Sequence, residues 1–216
     1  MDLFEAIYNR RTIRTFADQN IPDENIRTII NAGIHAPSAC DKQLWKFVVI
    51  KDKKIIERIV YEGAASFIKK APIGIVVLYD NQTDEMEYSD HLLSAAVAIQ
   101  NMLLTAYALG IGACCVCHLP LKRQMRTILK IPKIYDPIVY IALGYPVKKP
   151  LERPRKFSVD QVISYNKFSS SIPIQKKNKI LLNIKRLLKN IYYLIPRRHL
   201  IKPIVDKFFE KKFDDS

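Results

Sequence analysis

Residues 92–117 read LLSAAVAIQNMLLTAYALGIGACCVC, 26 positions without one charged side chain. A helix of that length would span a bilayer. Yet Ser94, Gln100, Asn101 and Thr105 interrupt the run, and Gly110 and Gly112 break its last third. The stretch therefore reads as a soluble helix of roughly 20 residues buried on most faces, then a turn and an apolar strand near residues 113–117. Such a helix needs cover all round, from a large domain or from a second subunit. With 216 residues in the chain, a dimer is the natural solution.

Outward from this helix, residues 45–50 (WKFVVI), 73–79 (IGIVVLY) and 138–143 have the apolar runs of buried strands. Residues 2–9 suit a short helix with Leu3, Phe4 and Ile7 inward. Pro22, with Asp23 and Glu24 in the first turn, opens a second helix through Ile26, Ile29, Ile30 and Gly33. Residues 53–61 and 121–129 complete the helices of this part. The elements intersperse without strict βαβ alternation, so the expected class is α+β.

Composition narrows the function. The chain is 49% hydrophobic and 26% charged, with 35 Lys+Arg against 21 Asp+Glu and a net charge of +14, so an anionic partner or ligand has to be considered. Residues 169–216 carry 12 basic and 4 acidic residues, which leaves only +6 on residues 1–168. A uniformly nucleic-acid-coating body is thus excluded. Four clustered cysteines do not make a disulfide framework, and residues 1–11 (MDLFEAIYNRR) lack the apolar core of a signal peptide. A reducing, cytoplasmic setting is expected.

Arg10-x-Thr12-x-Arg14 is the first chemical constellation. In extended chain these side chains share a face, either as a solvated basic stretch or as a seat for a phosphate or other anion. Residues 37–45 (PSACDKQLW) are the second: small residues allow close backbone approach, Ser38, Asp41 and Gln43 offer polar groups, and Trp45 anchors. Packing alone would also account for that loop. Gly110-Ile111-Gly112 suits ordinary helix capping. Cys114-Cys115-x-Cys117 lacks the spacing of a zinc or iron–sulfur site and reads as structural thiols, so no metal is expected. The four histidines form no triad pattern, and no phosphate-binding glycine loop is present, so a hydrolase or a nucleotide-triphosphate enzyme has no support.

Taken in order, four segments resemble the nitroreductase family of FMN-dependent oxidoreductases. They are residues 10–16 (RRTIRTF), 36–39 (APSA) with Gln43 and Trp45, 95–112 (AAVAIQNMLLTAYALGIG), and 142–146 (ALGYP) followed by the basic run 153–156. The resemblance covers residues 1–165. It implies a mostly antiparallel sheet flanked by helices, two subunits interlocked through the long helix, and FMN in each of two clefts at their interface. By position, Arg10 and Thr12, with Arg11, would hold the FMN phosphate and ribityl chain, and Arg153 or Arg155 would reach the same phosphate. Pro37, Ser38, Ala39, Asp41 and Gln43 would border the flavin from the partner subunit. Arg14 would lie near the N1–C2=O edge and favour the reduced, negatively charged flavin. Backbone N–H groups of Cys115, Val116, Cys117 and His118 would face flavin N5, and Gly144 would belong to the cofactor-binding set.

The resemblance further implies that NADH or NADPH delivers hydride to N5 and leaves, after which a small organic acceptor, nitroaromatic- or quinone-like, takes two electrons in ping-pong order. No side-chain acid or base is obligatory. Two residues depart from the family pattern: Asp41 stands where Asn is common, and an ionised carboxylate only accepts hydrogen bonds, while Leu44 replaces a frequent Pro.

The resemblance stops before the tail. The domain reading is an FMN-binding domain over residues 1–168 and a basic amphipathic extension over 169–216. Ile180, Ile184, Leu187, Leu188, Ile191 and Ile195 follow helical spacing with Lys179, Lys185, Arg186 and Lys189 between them. This helix either packs over the partner subunit or, through residues 176–195, touches an anionic membrane surface. The tail aromatics form no recognised nucleic-acid module. A flavin-binding protein with little turnover is a further alternative to the enzyme.

Overall fold

The computed structural model describes residues 2–83, 85, 87–152, 154–172 and 178–195. The chain divides into two compact units between Pro150 and Leu151. Residues 151–168, attached on sequence to the first domain, therefore fall in the second unit. Arg153, Arg197, Arg198 and the helix-like piece 204–213 lie outside the described residues.

The first unit runs α1 (Leu3–Asn9), α2 (Asp23–Ile34), β1 (Trp45–Ile50), α3 (Lys53–Tyr61), β2 (Ile73–Asp80), α4 (Asp90–Ala108), β3 (Gly112–Val116), α5 (Lys122–Leu129) and β4 (Tyr135–Gly144), with short 3-10 turns at Ala39–Asp41 and Ser66–Lys70. The four strands form one antiparallel sheet in the order β1-β2-β4-β3. The α+β class and the mostly antiparallel sheet are as expected.

The sheet is covered on both faces, which is why β2 is apolar at successive positions rather than at alternate ones. Ile75 and Val77 pack with Ile29 of α2 and Met102 of α4. Val76 and Leu78 pack on the other side with Ile56 and Ile59 of α3 and Met125 of α5. Trp45 is buried at the start of β1, its ring edge-on to Tyr79 at 6.1 Å. Buried Asp136 of β4 receives Lys122 and Arg126 of α5 and, at 3.0 Å, the side-chain amide of Asn81.

Two local expectations are corrected. Strand β4 begins at Tyr135, not at Ile138, and carries Pro137 inside it. A bulge makes this feasible: Val77 pairs with Val139 and Leu78 with Pro137, so Ile138 is skipped and the missing proline N–H disturbs one register step. Leu3, Phe4 and Ile7 do not point inward; all three are exposed, and only Ala6 of α1 is buried. A small residue at the contact lets α1 approach closely and leaves its large apolar side chains outside. Within its own chain helix α4 buries a single stripe, Ser94, Ala95, Ala98, Ile99, Met102, Leu103 and Ala106, and leaves Leu92, Leu93 and Val97 exposed. One sheet face and α2 cannot surround a helix.

The second unit contains α6 (Val159–Val162) and α7 (Lys179–Leu194) among its described residues. Asn178 caps α7, its side-chain oxygen accepting the N–H groups of Ile180 and Leu181 at 2.9 and 3.3 Å.

Candidate functional site

After α1 the chain turns extended and runs beside β3, the edge strand of the sheet. Thr12 pairs in parallel with Ala113, the Ile13 N–H donates to the Ala113 carbonyl at 3.0 Å, and Phe16 pairs with Pro146. Two glycines allow this approach. A Cβ on Gly112 would stand 2.9 Å from three Ile13 carbons, and one on Gly144 would stand 2.7 Å from the Phe16 ring. Ile13 and Phe16 are buried there, while Arg10, Thr12 and Arg14 alternate with Ile13 along the segment. Gly144 thus meets Phe16, and Gly112 is the floor on which Ile13 rests.

Arg11 is turned back. Its guanidinium donates to the Tyr8 carbonyl at 2.6 Å and to its own neighbour's carbonyl, Arg10, at 3.0 Å, closing the end of α1 where carbonyls lack partners. Arg14 lies over the Phe67 ring, 5.8 Å from its centre. Phe67 belongs to the 66–70 turn, and just before it the Ala65 N–H donates to the His118 carbonyl at 3.2 Å. One continuous set of contacts therefore joins the Arg10–Arg14 segment, strand β3 with Cys117 and His118 after it, and the turn carrying Phe67.

The thiols beside this set feel its charge. Burial pushes the Cys114 thiol up to about 11, with the Arg14 and Arg10 guanidiniums pulling the other way. Burial and then the adjacent Cys117 push Cys115 upward as well, again against Arg10. Raised thiols are poor nucleophiles at neutral pH. Among the described residues no cluster of His, Cys, Asp or Glu could hold a metal ion.

Arg10 and Arg11 also line a cavity of about 340 Å³ with Gly110, Tyr107, Lys148 and Lys149. Four cations around one cavity is the setting of an anion. The paired lysines after Pro146, Lys148 and Lys149, are the signal for it in the sequence. Phe67 had no such signal.

The 37–43 loop is built differently. The Ala39 N–H donates to Ser94 Oγ at 3.0 Å, Lys42 lies 3.6 Å from Asp90, and the Gln43 N–H donates to Ser38 Oγ at 3.0 Å. The Gln43 amide donates to Asp41 Oδ1 at 2.6 Å, so the acceptor-only carboxylate orients its neighbour. Cys40, Asp41 and Gln43 all have left-handed backbone, with φ of 51°, 53° and 50°. Three non-glycine residues in that region within four positions is a strained loop of the kind found at binding sites. Asp41 and Gln43 are exposed, Pro37 is exposed, and Ser38 and Ala39 are half-buried.

Ser38–Gln43 thus hangs on the first two turns of α4, whereas Thr12 pairs with Ala113, just past its other end. A helix of 19 residues is about 28 Å long. The two groups of candidate residues are held at opposite ends of that helix. Arg155 lies in the second unit and is exposed.

Comparison with known proteins identifies the fold and the family. The sequence model of the nitroreductase family matches residues 7–61 and 60–145. A "Putative NADH dehydrogenase/NAD(P)H nitroreductase" of Methanothermobacter thermautotrophicus is 34% identical over 154 residues, which is 69% of this chain and 80% of that one. The crystal structure of a protein of the same description from Parabacteroides distasonis superposes with a TM-score of 0.68 at 30% identity, covering 76% of this chain and 98% of that one. A Bacillus subtilis "FMN reductase (NADPH)" is 27% identical, with 70% of this chain and 68% of that one aligned. The chain belongs to the nitroreductase family.

Proposed function

We propose that this nitroreductase-family protein works as a homodimer, taking two electrons from NADH or NADPH and passing them in ping-pong order to a small organic acceptor. The class, an FMN-dependent NAD(P)H oxidoreductase, follows from the family and from relatives that carry the names FMN reductase and NAD(P)H nitroreductase. The observation that carries the reading is the Arg10–Arg14 segment docked on β3 beside a cavity with four cations.

The residues fit FMN. A phosphate dianion needs fixed positive charge, which Arg10 supplies with Lys148 and Lys149 around the cavity; Thr12 does not line that cavity, and its hydroxyl would serve the ribityl chain by its place in the family motif alone. When bound, FMN supplies the redox chemistry, accepting hydride from NAD(P)H and returning two electrons. Arg14, lying over Phe67, would supply a fixed cation to favour the negatively charged reduced flavin. Residues 115–118, the end of β3 and the two residues after it, are tied to Ala65 through the His118 carbonyl and would offer main-chain donors there, so the thiols need not react.

The dimer rests on uncovered apolar surface. Leu3 and Phe4 of α1 are 61% and 60% exposed, and Leu93 of α4 is 61% exposed. Faces of that kind mark interfaces. A second copy packed antiparallel along α4 would also bring Ser38, Asp41 and Gln43 of one subunit towards the Arg10 segment of the other.

Purified protein should be yellow, bleach with NAD(P)H and recover its colour with a quinone or nitroaromatic acceptor. Steady turnover separates an enzyme from a flavin-binding protein with little turnover. Colourless protein that cannot be reconstituted with FMN rejects the proposal.

A further inference from the structure

We propose that α7 is a membrane-surface anchor whose apolar stripe lies in the headgroup layer of an anionic lipid bilayer. Ile180, Ile184, Leu187, Leu188 and Ile191 follow one side of a 16-residue helix, and every one is exposed. Exposed Lys179, Lys185 and Arg186 flank that stripe. An exposed apolar stripe bordered by basic residues is the pattern of helices that lie in the plane of a membrane interface. Exposed Tyr165 and Phe168 in the same unit add aromatic rings suited to that layer.

The charge pattern selects the occupant. Between Asp160 and Asp206 the sequence has ten Lys or Arg residues and no Asp or Glu. A helix facing water only, or laced with its own ion pairs, carries both signs. A second copy of α7 would bury the stripe but would bring like charges together along its borders. A nucleic acid would engage the charges and leave the stripe in water. An anionic bilayer satisfies both at once: apolar burial and attraction to the headgroups are the two signals that together give stable peripheral binding. The enzyme would then meet its acceptor at a membrane surface, and this holds whatever the acceptor is.

Flotation of the full chain with vesicles tests it, using phosphatidylcholine:phosphatidylglycerol 3:1 against phosphatidylcholine alone. The wild type should float with the anionic vesicles. The bound fraction should fall at least tenfold with neutral vesicles, in high salt, in Ile184→Asp/Leu188→Asp, and in Lys185→Glu/Arg186→Glu. Both variants should keep the gel-filtration elution and flavin absorbance of the wild type. Wild-type protein that stays at the bottom overturns the proposal. Flotation that survives the apolar pair overturns it in favour of a charge-only polyanion contact. A change in oligomeric size in the apolar pair overturns it in favour of a second copy covering the stripe.

Discussion

Gly112 lies directly beneath Ile13: a Cβ at Gly112 would stand 2.9 Å from Cβ, Cγ1 and Cγ2 of Ile13. The contact is backbone against a β-branched side chain, so neither partner yields easily. It sets how closely the Arg10–Arg14 segment approaches the sheet edge, and through that where the two guanidiniums stand.

Gly112→Val should therefore displace the segment. The expected cost is about 1–3 kcal/mol of stability, as for other overpacked cores, together with weakened flavin retention. Thermal unfolding and the flavin-to-protein absorbance ratio measure both. A variant as stable and as yellow as the wild type would show that the approach is not limiting.

Arg14 should tune the cofactor rather than hold it. In Arg14→Gln the midpoint potential of bound FMN should become more negative by about 30 mV or more, since about 1.4 kcal/mol corresponds to 30 mV for a two-electron couple. Potentiometric titration of the purified protein reads it. An unchanged potential would remove Arg14 from that role.

Cys114 should stay protonated and inert at pH 8, because burial raises its thiol to about 11. Iodoacetamide labelling followed by mass spectrometry should be far slower in native than in unfolded protein. The sign for stability follows. The unfolded chain loses this proton near the ordinary thiol value of about 8.5, while the folded chain keeps it. Its contribution is complete below that value and is lost as pH rises towards 11. The urea midpoint should fall over this range, and less steeply in Cys114→Ala.

Asp136 joins β4 to α5. Burial alone would raise its carboxyl, but the hydrogen bonds from Lys122 and Asn81 and the charges of Lys122 and Arg126 outweigh that and hold it below the usual value. Asp136→Asn should cost about 2–3 kcal/mol by leaving two cations without their shared partner. With the folded value depressed, the stabilisation is present above the unfolded value of about 3.9 and is lost as pH falls through the folded one. Acid denaturation of the variant should show a shallower dependence in that range.

Much of the fold was legible because the signals are local. The continuous apolar run of β2 marks a strand covered on both faces, and Pro22 with Asp23 and Glu24 marks the start of α2. What was missed depends on contacts between distant residues. Pro137 reads locally as a stop, and only the bulge opposite Val77 and Leu78 keeps it inside β4. The outward face of α1 follows from Ala6 being the residue that docks. Around the candidate site, the alternation of Arg10, Thr12 and Arg14 made the extended course of that segment legible. The retraction of Arg11 onto Tyr8 needed the end of α1, and the seat of Arg14 on Phe67 needed two segments about fifty residues apart.

The central claim is that cations of the Arg10 segment hold the phosphate of FMN. Its most direct measurement is the dissociation constant of FMN for wild type and Arg10→Ala, by fluorescence quenching after removal of bound flavin, with riboflavin as the phosphate-free control. The account predicts weakening of at least tenfold for FMN in Arg10→Ala and little change for riboflavin. Equal FMN affinity in the two proteins, or an equal loss for FMN and riboflavin, would contradict it.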